Sequence, residues 1–338
     1  MPTDSRLQTR HVQTAPSDSD WLAAAARLAA RARPLSRPNP AVGCIIVNNA
    51  RVVGRGWTQP GGRPHAEAAA LAQAGEAAAG STVYVTLEPC AHKSDRGPAC
   101  ADLLANASPA RIVIGSSDPD PRTAGKGAAR LRDAGIAVEL ADDTASQQSL
   151  VGYLTRAALG RPHVTLKLAM SLDGKIARAD GESQWITSPP ARAHVHARRA
   201  QCDAILVGGG TWRGDKPQLD VRLPGVEARS PQRIVLTRGV PLDGAKIINA
   251  PEQIASLPGL QYLYVEGGAQ AAASFLSRDL VDRIEMYRAP IVIGDGLDAL
   301  GDIGLDNLAA AHGRWQLAER RQLGSDTFEA YERQRTAS

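Results

Sequence analysis

Four side chains in the first third of the chain have the types and spacing to work on a substrate through a metal ion. His65-Ala66-Glu67 opens an Ala-rich run, Cys90 closes the string TLEPC, and Cys100 follows after nine intervening residues. One imidazole and two thiolates fill three corners of a tetrahedral zinc site and leave the fourth open, the arrangement of a catalytic site. Water at such an open position ionises near neutral pH. Glu67, two residues beyond the histidine, cannot point along the same vector from a helix. It is placed to take a proton from water and return it to a departing amine, which needs a group that both accepts and donates within one cycle. The chemistry expected is hydrolytic removal of an amino group.

A His-x-Glu string with a later Pro-Cys and second cysteine is the pattern of zinc nucleobase deaminases, in which the two cysteines stand only two residues apart. Here the spacing is wider. A closed, structural zinc site would need a fourth donor, for which His92 is the nearby candidate. Read alone, Cys100 would pass for a small buried hydrophobe; in conjunction with the other two strings it reads as a ligand. Cys44, inside AVGCIIV, and Cys202, at a helix end, read as packing residues.

The elements that must position these groups alternate between helix and strand. Asp18, Ser19 and Asp20 offer caps to a helix over 21–33, stopped by Pro34, Pro38 and Pro40. AVGCIIV and RVVGRGW form a hairpin turning at Asn48-Asn49. HAEAAALAQAG (helix), STVYVTLEP (strand), PACADLLANA (helix), RIVIGSSD (strand), GKGAARLRDAG (helix) and IAVEL (strand) follow. The alternation predicts an α/β sandwich, and the opening hairpin makes its sheet mixed. A linker helix over 141–162 leads to a second α/β series: VTLKLAMSLDGKIA (strand), a helix over 190–201, AILVGGG, RIVLTR and LYVEGG (strands), AQAAASFLSRDL (helix) and IEMYRAPIVIG (strand). No repeat relates the halves.

At 338 residues the chain is long enough for two domains, expected at 17–147 and 148–338 behind a polar tail, 1–16. Hydrophobic residues at 43% and charged ones at 22% are the balance of an ordinary globular protein, and aromatics at 4% predict aliphatic cores. The net charge of +4 is scattered, without the basic run of a nucleic-acid tail, and suits a phosphorylated small molecule equally well. Four cysteines in so long a chain are no disulfide framework. Neither a leader-like apolar stretch nor a span of about 18 apolar residues is present, so no membrane partner is expected and the protein reads as cytoplasmic.

The first half resembles the deaminase domain of the bifunctional riboflavin-biosynthesis enzymes. The resemblance rests on PNPAVG (38–43), HAE (65–67), TLEPCAH (86–92), DPDPRTAGKG (118–127) and the wide Cys90–Cys100 spacing. The second half is similar to their reductase domain through LKLAMSLDGKIA (166–177), GESQWIT (181–187), DAILVGGGTWRGDKPQLDVR (203–222) and VEGGAQAAASFL (265–276). The resemblance implies a cytidine-deaminase-like α/β/α sandwich followed by a dihydrofolate-reductase-like α/β domain. It implies Zn2+ on His65, Cys90 and Cys100, with Glu67 catalytic, and a phosphorylated pyrimidine substrate contacted by Asn39 and Arg96. For the reductase it implies NADPH on Ala169, Trp185, Thr211, Asp215 and Gly268, and substrate on Lys167, Ser183, Arg199, Leu219, Arg222 and Glu266. Arginines suit that task because a guanidinium fork matches a phosphate. Gly267-Gly268, between strand and helix, would let a pyrophosphate reach the helix N-terminus, although glycines there also serve simple turns.

The loop before Cys100 departs from the family by one extra residue, and Thr58 or Gln59 stands where many members carry a histidine. Two other readings stand beside this one: a deaminase acting on tRNA adenosine, which would call for a basic groove with stacking aromatics, and a second half that binds nucleotide without catalysis. No nucleic-acid partner is expected from the sparse aromatics. Nothing in the sequence forbids a homo-oligomer formed through the second domain.

Overall fold

The computed structural model describes residues 15–92, 96–239 and 243–335. The chain divides into two compact units: Met1–Leu28, Val42–Trp57 and His65–Gln148 in the first, and Ala29–Ala41, Thr58–Pro64 and Ser149–Ser338 in the second. Residues 1–14 of the expected tail lie outside the described residues. Among the described residues no helix is long and apolar enough to cross a membrane.

Helix α1 (Asp18–Ala29) starts a turn earlier than the sequence suggests and ends earlier. Ser17, not Asp18–Asp20, makes the cap: the Asp20 N–H donates to Ser17 Oγ (3.2 Å), and the Ser17 N–H donates back to Asp20 Oδ2 (2.8 Å). Asp18 is engaged elsewhere. It accepts from the Tyr84 hydroxyl at 2.8 Å and from both Arg111 Nη atoms at 2.9 and 2.7 Å.

Strands β1 (Gly43–Asn48) and β2 (Arg51–Trp57) form the expected hairpin, one residue out of place. Its central residues are Asn49 (φ 49°) and Ala50 (φ 59°), both left-handed as a type I′ turn requires. The remaining strands are β3 (Thr82–Val85), β4 (Arg111–Ile114) and β5 (Ala137–Leu140), giving the order β2-β1-β3-β4-β5. Strand β1 is antiparallel to both neighbours, while β3, β4 and β5 run parallel, so the sheet is mixed. Helices α2 (Ala66–Ala74), α3 (Cys100–Ala107) and α4 (Lys126–Asp133) connect these strands, and α5 (Thr144–Ser149) follows.

The seating of α2 explains two glycines. A Cβ on Gly56 would lie 2.1 Å from the Ala66 carbonyl oxygen and 2.6 Å from the Ala70 nitrogen, and one on Gly54 would lie 2.3 Å from the Ala70 oxygen. The helix backbone therefore rests directly on β2. Spaced by two, the glycines lie on one face of the strand.

The second unit opens with α6 (Val151–Leu159), separate from α5, so the expected linker helix is two helices. Then come β6 (His163–Met170), β7 (Lys175–Arg178), α7 (Pro189–Arg199), β8 (Ala204–Gly208), α8 (Gly209–Asp215), β9 (Gln232–Leu236), β10 (Lys246–Ile248), β11 (Tyr262–Val265), α9 (Ala269–Leu276) and β12 (Arg283–Arg288). Strands β13 (Gly296–Asp298), β14 (Trp315–Leu323) and β15 (Asp326–Arg333) complete it. The eight-stranded sheet has the order β10-β9-β8-β11-β6-β12-β15-β14, parallel from β10 to β12 and antiparallel beyond; β13 pairs with β7. It is the mixed α/β sheet of the implied reductase class.

Two expected features change. The string IEMYRAPIVIG is a strand only as far as Arg288; Ile291 and Val292 beyond it are exposed. The core is mostly aliphatic on one sheet face, around Val164, Leu166, Leu206, Leu263 and Val265 with Phe275 among them, while the other face buries Tyr264, Tyr287 and Phe328 together. Large rings there bury most surface per residue. That face also buries Glu285, satisfied by Arg198 Nη2 at 2.6 Å, Arg283 Nε at 3.1 Å and the Tyr264 hydroxyl at 2.8 Å.

Because backbone atoms oppose it, a methyl at position 56 must push α2 off the sheet. Gly56→Ala is expected to destabilise the first unit by about 1–3 kcal/mol. Urea denaturation followed by circular dichroism measures this, and an unshifted midpoint would contradict the direct seating.

Candidate functional sites

His65 is the N-cap of α2, in extended conformation (ψ 166°), so its ring stands at the front of the helix. Cys90 follows β3 by a short turn, and Cys100 is the first residue of α3. These three bring their donor atoms within 4.8 Å of one another. His65 Nδ1 lies 3.6 Å from Cys90 Sγ and 3.3 Å from Cys100 Sγ. The edge of a tetrahedron with metal–donor bonds of 2.0–2.3 Å is roughly 3.6 Å. The donor set and its dimensions fit one zinc ion.

Among the described residues no fourth His, Cys, Asp or Glu joins the group, and His92 is not part of it. Among the described residues its buried Nδ1 has no hydrogen-bond partner. Cys44 is buried in β1, and Cys202 has its Sγ against the Arg198 carbonyl oxygen (3.3 Å); both are free thiols outside the group.

Glu67, in the first turn of α2, is 3% exposed. Burial raises its carboxyl above the ordinary carboxylate value, with the His65 imidazole pulling the other way. The hydrogen bond from Cys100 draws the Cys90 thiol down to about 4, and burial and His65 act on it too. Cys100 is pushed upward by the same pairing. Its backbone N–H donates to Cys90 Sγ at 3.3 Å, so the start of α3 supplies a donor to the thiolate.

Reading the sequence for chemistry misses Glu88. Its buried carboxylate accepts from the backbone N–H groups of Gly125 and Ala128, each at 3.0 Å, and of Asp118 at 3.4 Å. It ties the segment leading to Cys90 to the DPDPRTAGKG loop and the first turn of α4. That accounts for two strings, TLEPC and DPDPRTAGKG, that carry no ligand beyond the cysteine. No spacing rule signals an acceptor for distant backbone donors.

The other expected contacts of the first half are placed less tightly. Arg96 is exposed, just past residues 93–95 of the longer loop, which lie outside the described residues. Asn39 falls in segment 29–41 of the second unit, where its side chain fills the space that a Cβ on Gly62 would take. Thr58 is buried and donates to the Pro40 carbonyl at 3.0 Å, a structural tie within that unit.

In the second unit, every reductase position expected from sequence lines one cavity of about 450 Å3: Lys167, Ala169, Ser183, Trp185, Arg199 and Thr211 with Asp215, Leu219, Arg222, Glu266 and Gly268. Its floor is charged. Arg199 donates to Glu266 through Nε (2.6 Å) and Nη2 (2.9 Å), and Lys167 Nζ lies 3.7 Å from the same carboxylate. Burial pushes the Glu266 carboxyl up, but Arg199 and Lys167 outweigh it and hold it below its ordinary value. Burial lowers the Lys167 ammonium. The Arg199 fork is thus engaged by carboxylate, whereas Arg222 is 56% exposed, with Asp220 at 3.4 Å. Trp185 stands at the cavity, 62% exposed, beneath the Arg192 guanidinium at 4.6 Å.

Comparison with known proteins agrees with this division. Residues 16–116 match the cytidine and deoxycytidylate deaminase zinc-binding region, and residues 162–328 match the RibD C-terminal domain. The riboflavin biosynthesis protein RibD of Aquifex aeolicus is 36% identical over 86% of this chain and 92% of its own. The chain belongs to the RibD family. A solved RibD structure from Acinetobacter baumannii superposes with a TM-score of 0.82 at 33% identity, covering 94% of this chain and 99% of that one. One from Thermotoga maritima, a diaminohydroxyphosphoribosylaminopyrimidine deaminase/5-amino-6-(5-phosphoribosylamino)uracil reductase, gives 0.80 at 28% identity, covering 94% and 98%. As a RibD family member the chain is a bifunctional enzyme of riboflavin biosynthesis, with a zinc-binding deaminase region ahead of a reductase domain.

Removing the Glu88 carboxylate strands several buried N–H donors. Glu88→Ala is expected to cost about 2–3 kcal/mol. Thermal unfolding should show the first unit melting earlier. An unchanged melt would mean that these hydrogen bonds are replaced by water.

Proposed function

We propose that the first unit deaminates 2,5-diamino-6-ribosylamino-4(3H)-pyrimidinone 5′-phosphate and that the second reduces the ribosyl group of the product to ribityl with NADPH. The observation that carries the first half is the convergence of His65, Cys90 and Cys100 beside buried Glu67. These three residues would hold Zn2+, which supplies the acidity that makes water a nucleophile near neutral pH. Glu67 takes the proton from the attacking water and passes it to the 2-amino nitrogen as that nitrogen leaves. Its burial suits both halves of the transfer, because a raised carboxyl pKa brings acid and base forms closer to the working pH. Arg96, exposed at the mouth of the cysteine loop, is assigned to the substrate's anionic end.

For the second half, the cavity gathering all eleven sequence-derived positions is the support. NADPH, held along these residues, would supply a hydride to the first ribose carbon as that carbon's bond to the ring oxygen opens; the freed oxygen takes a proton from solvent and the sugar becomes an open ribityl chain. Lys167 and Arg199 against the single Glu266 carboxylate leave a surplus positive charge on the floor, suited to an anionic substrate. Arg222, open to solvent, takes the phosphate in preference to Arg199, whose fork is already matched. Gly268 caps α9, where free N–H groups receive the cofactor's pyrophosphate. Four free thiols fit a cytoplasmic enzyme.

Two measurements test the reading. Glu67→Ala should retain about one zinc per chain, by elemental analysis, and lose deamination by a factor of about 10²–10⁴; loss of the metal instead would make Glu67 structural. Wild-type protein given the deaminated intermediate should oxidise NADPH, and no oxidation would remove the reductase assignment.

A further inference from the structure

His196 lines the substrate cavity of the second unit, yet it is not among the positions that the family strings single out. It lies on α7 three residues before Arg199, so both side chains leave the same face of the helix. Both reach one loop, 216–222, which follows α8 and brings Leu219 and Arg222 to the cavity. Arg199 Nη1 donates to the Asp220 carbonyl oxygen at 3.0 Å, and the Arg222 backbone N–H donates to His196 Nδ1 at 3.2 Å. Ser230 Oγ accepts the intervening Val221 N–H at 3.0 Å.

The loop needs such fastening. Lys216 (φ 43°) and Leu219 (φ 53°) are both left-handed, a conformation unfavourable for any residue with a Cβ. Leu219 and Val221 are buried, so packing and these hydrogen bonds hold the turn together. The Arg222 guanidinium is 56% exposed; what fixes its starting point is its own backbone N–H on His196. The tautomer follows from the partners. Nδ1 also lies 3.2 Å from the Asp220 carbonyl oxygen, but that carbonyl already accepts from Arg199. An imidazole with its proton on Nε2 and a bare Nδ1 therefore satisfies both backbone groups. Burial holds the His196 imidazole below its ordinary value, with Arg199 and Arg222 acting in the same direction against a smaller pull from Asp220 and Glu266.

We propose that His196 is a positioning residue for the reductase substrate: its Nδ1 holds the Arg222 backbone where the guanidinium meets the substrate phosphate. The proposal rests on the assignment of that phosphate to Arg222 above. A cation on a loop that must first be ordered binds more weakly, because the ordering opposes association. With the backbone set in advance, only the Arg222 side chain is left to settle on the ligand.

Steady-state reduction of the deaminated intermediate by the full chain, at saturating NADPH, tests this. His196→Ala should raise KM for the intermediate roughly five- to tenfold, the effect of one hydrogen bond, with kcat nearly unchanged. In an Arg222→Ala background the same substitution should add little, since two groups acting on one contact are not additive. His196→Asn should recover most of the wild-type KM, because its amide oxygen takes the place of Nδ1. His196→Gln, whose amide reaches the place of Nε2, should not. Should the alanine variant fail to fold, the Asn and Gln pair decides the matter alone. A wild-type KM in His196→Ala, a full rise in the Arg222→Ala background, or rescue by Gln in place of Asn would each overturn the proposal and leave the phosphate reading of Arg222 standing. A wild-type KM in Arg222→Ala would overturn that reading and the proposal with it.

Discussion

A divalent ion accepts donors only from within a sphere a few ångströms across, and in this chain the donors come from three separate segments. His65, Cys90 and Cys100 must therefore be delivered by the folding of the first unit's hairpin, helices and sheet. The contact that makes delivery possible is backbone on backbone: α2 rests on β2 through Gly54 and Gly56, with no side chain between. That seat fixes His65 at the helix front and buries Glu67 two residues further on, in the first turn. On the far side Glu88 fastens the approach to Cys90 onto the first turn of α4. A shift in either fastening would move a ligand by more than a zinc site tolerates.

In the second unit charge is matched between side chains. Lys167 lies on β6 and Glu266 just beyond β11, and these strands run parallel with Leu166 opposite Val265. Their register therefore makes the ammonium and the carboxylate neighbours at one level of the sheet. Arg199 arrives from the last turn of α7, where a cation also suits the helix dipole. Breaking such a buried pair by removing one partner is strongly unfavourable, because the remaining charge is left uncompensated. The triad is thus a fixed floor, and the adaptable charge is Arg222, still half in solvent.

The parts legible in the sequence are those in which residue type and function coincide. A histidine, a glutamate and two cysteines announce metal chemistry whatever surrounds them, and apolar runs such as YVTL and AILV announce buried strands. Glu88 was illegible because its work is done on backbone N–H groups thirty and more positions away, for which sequence carries no marker. Strand β14, WQLAERRQL, was missed because an exposed edge strand need not be apolar. The helix α8, GGTWRGD, hides behind two glycines that favour a loop by propensity. The hairpin was found but set one residue early, since two adjacent asparagines look like the turn while the left-handed pair is Asn49-Ala50.

Both units place their chemistry by one geometric rule. Cys90 lies past the carboxyl end of β3, Thr211 past β8, and Glu266 and Gly268 past β11. All three strands belong to the parallel part of a sheet. Parallel strands send their carboxyl ends to the same edge, and the helices that follow begin there, so side-chain donors and free N–H groups accumulate along one line. The antiparallel additions, β14 and β15, supply packing and an edge without lining the cavity of their unit. A metal-centred hydrolysis and a hydride transfer have no step in common. What they share is a need for several precisely aimed polar groups in a small volume, and the open edge of a parallel sheet provides that to each independently.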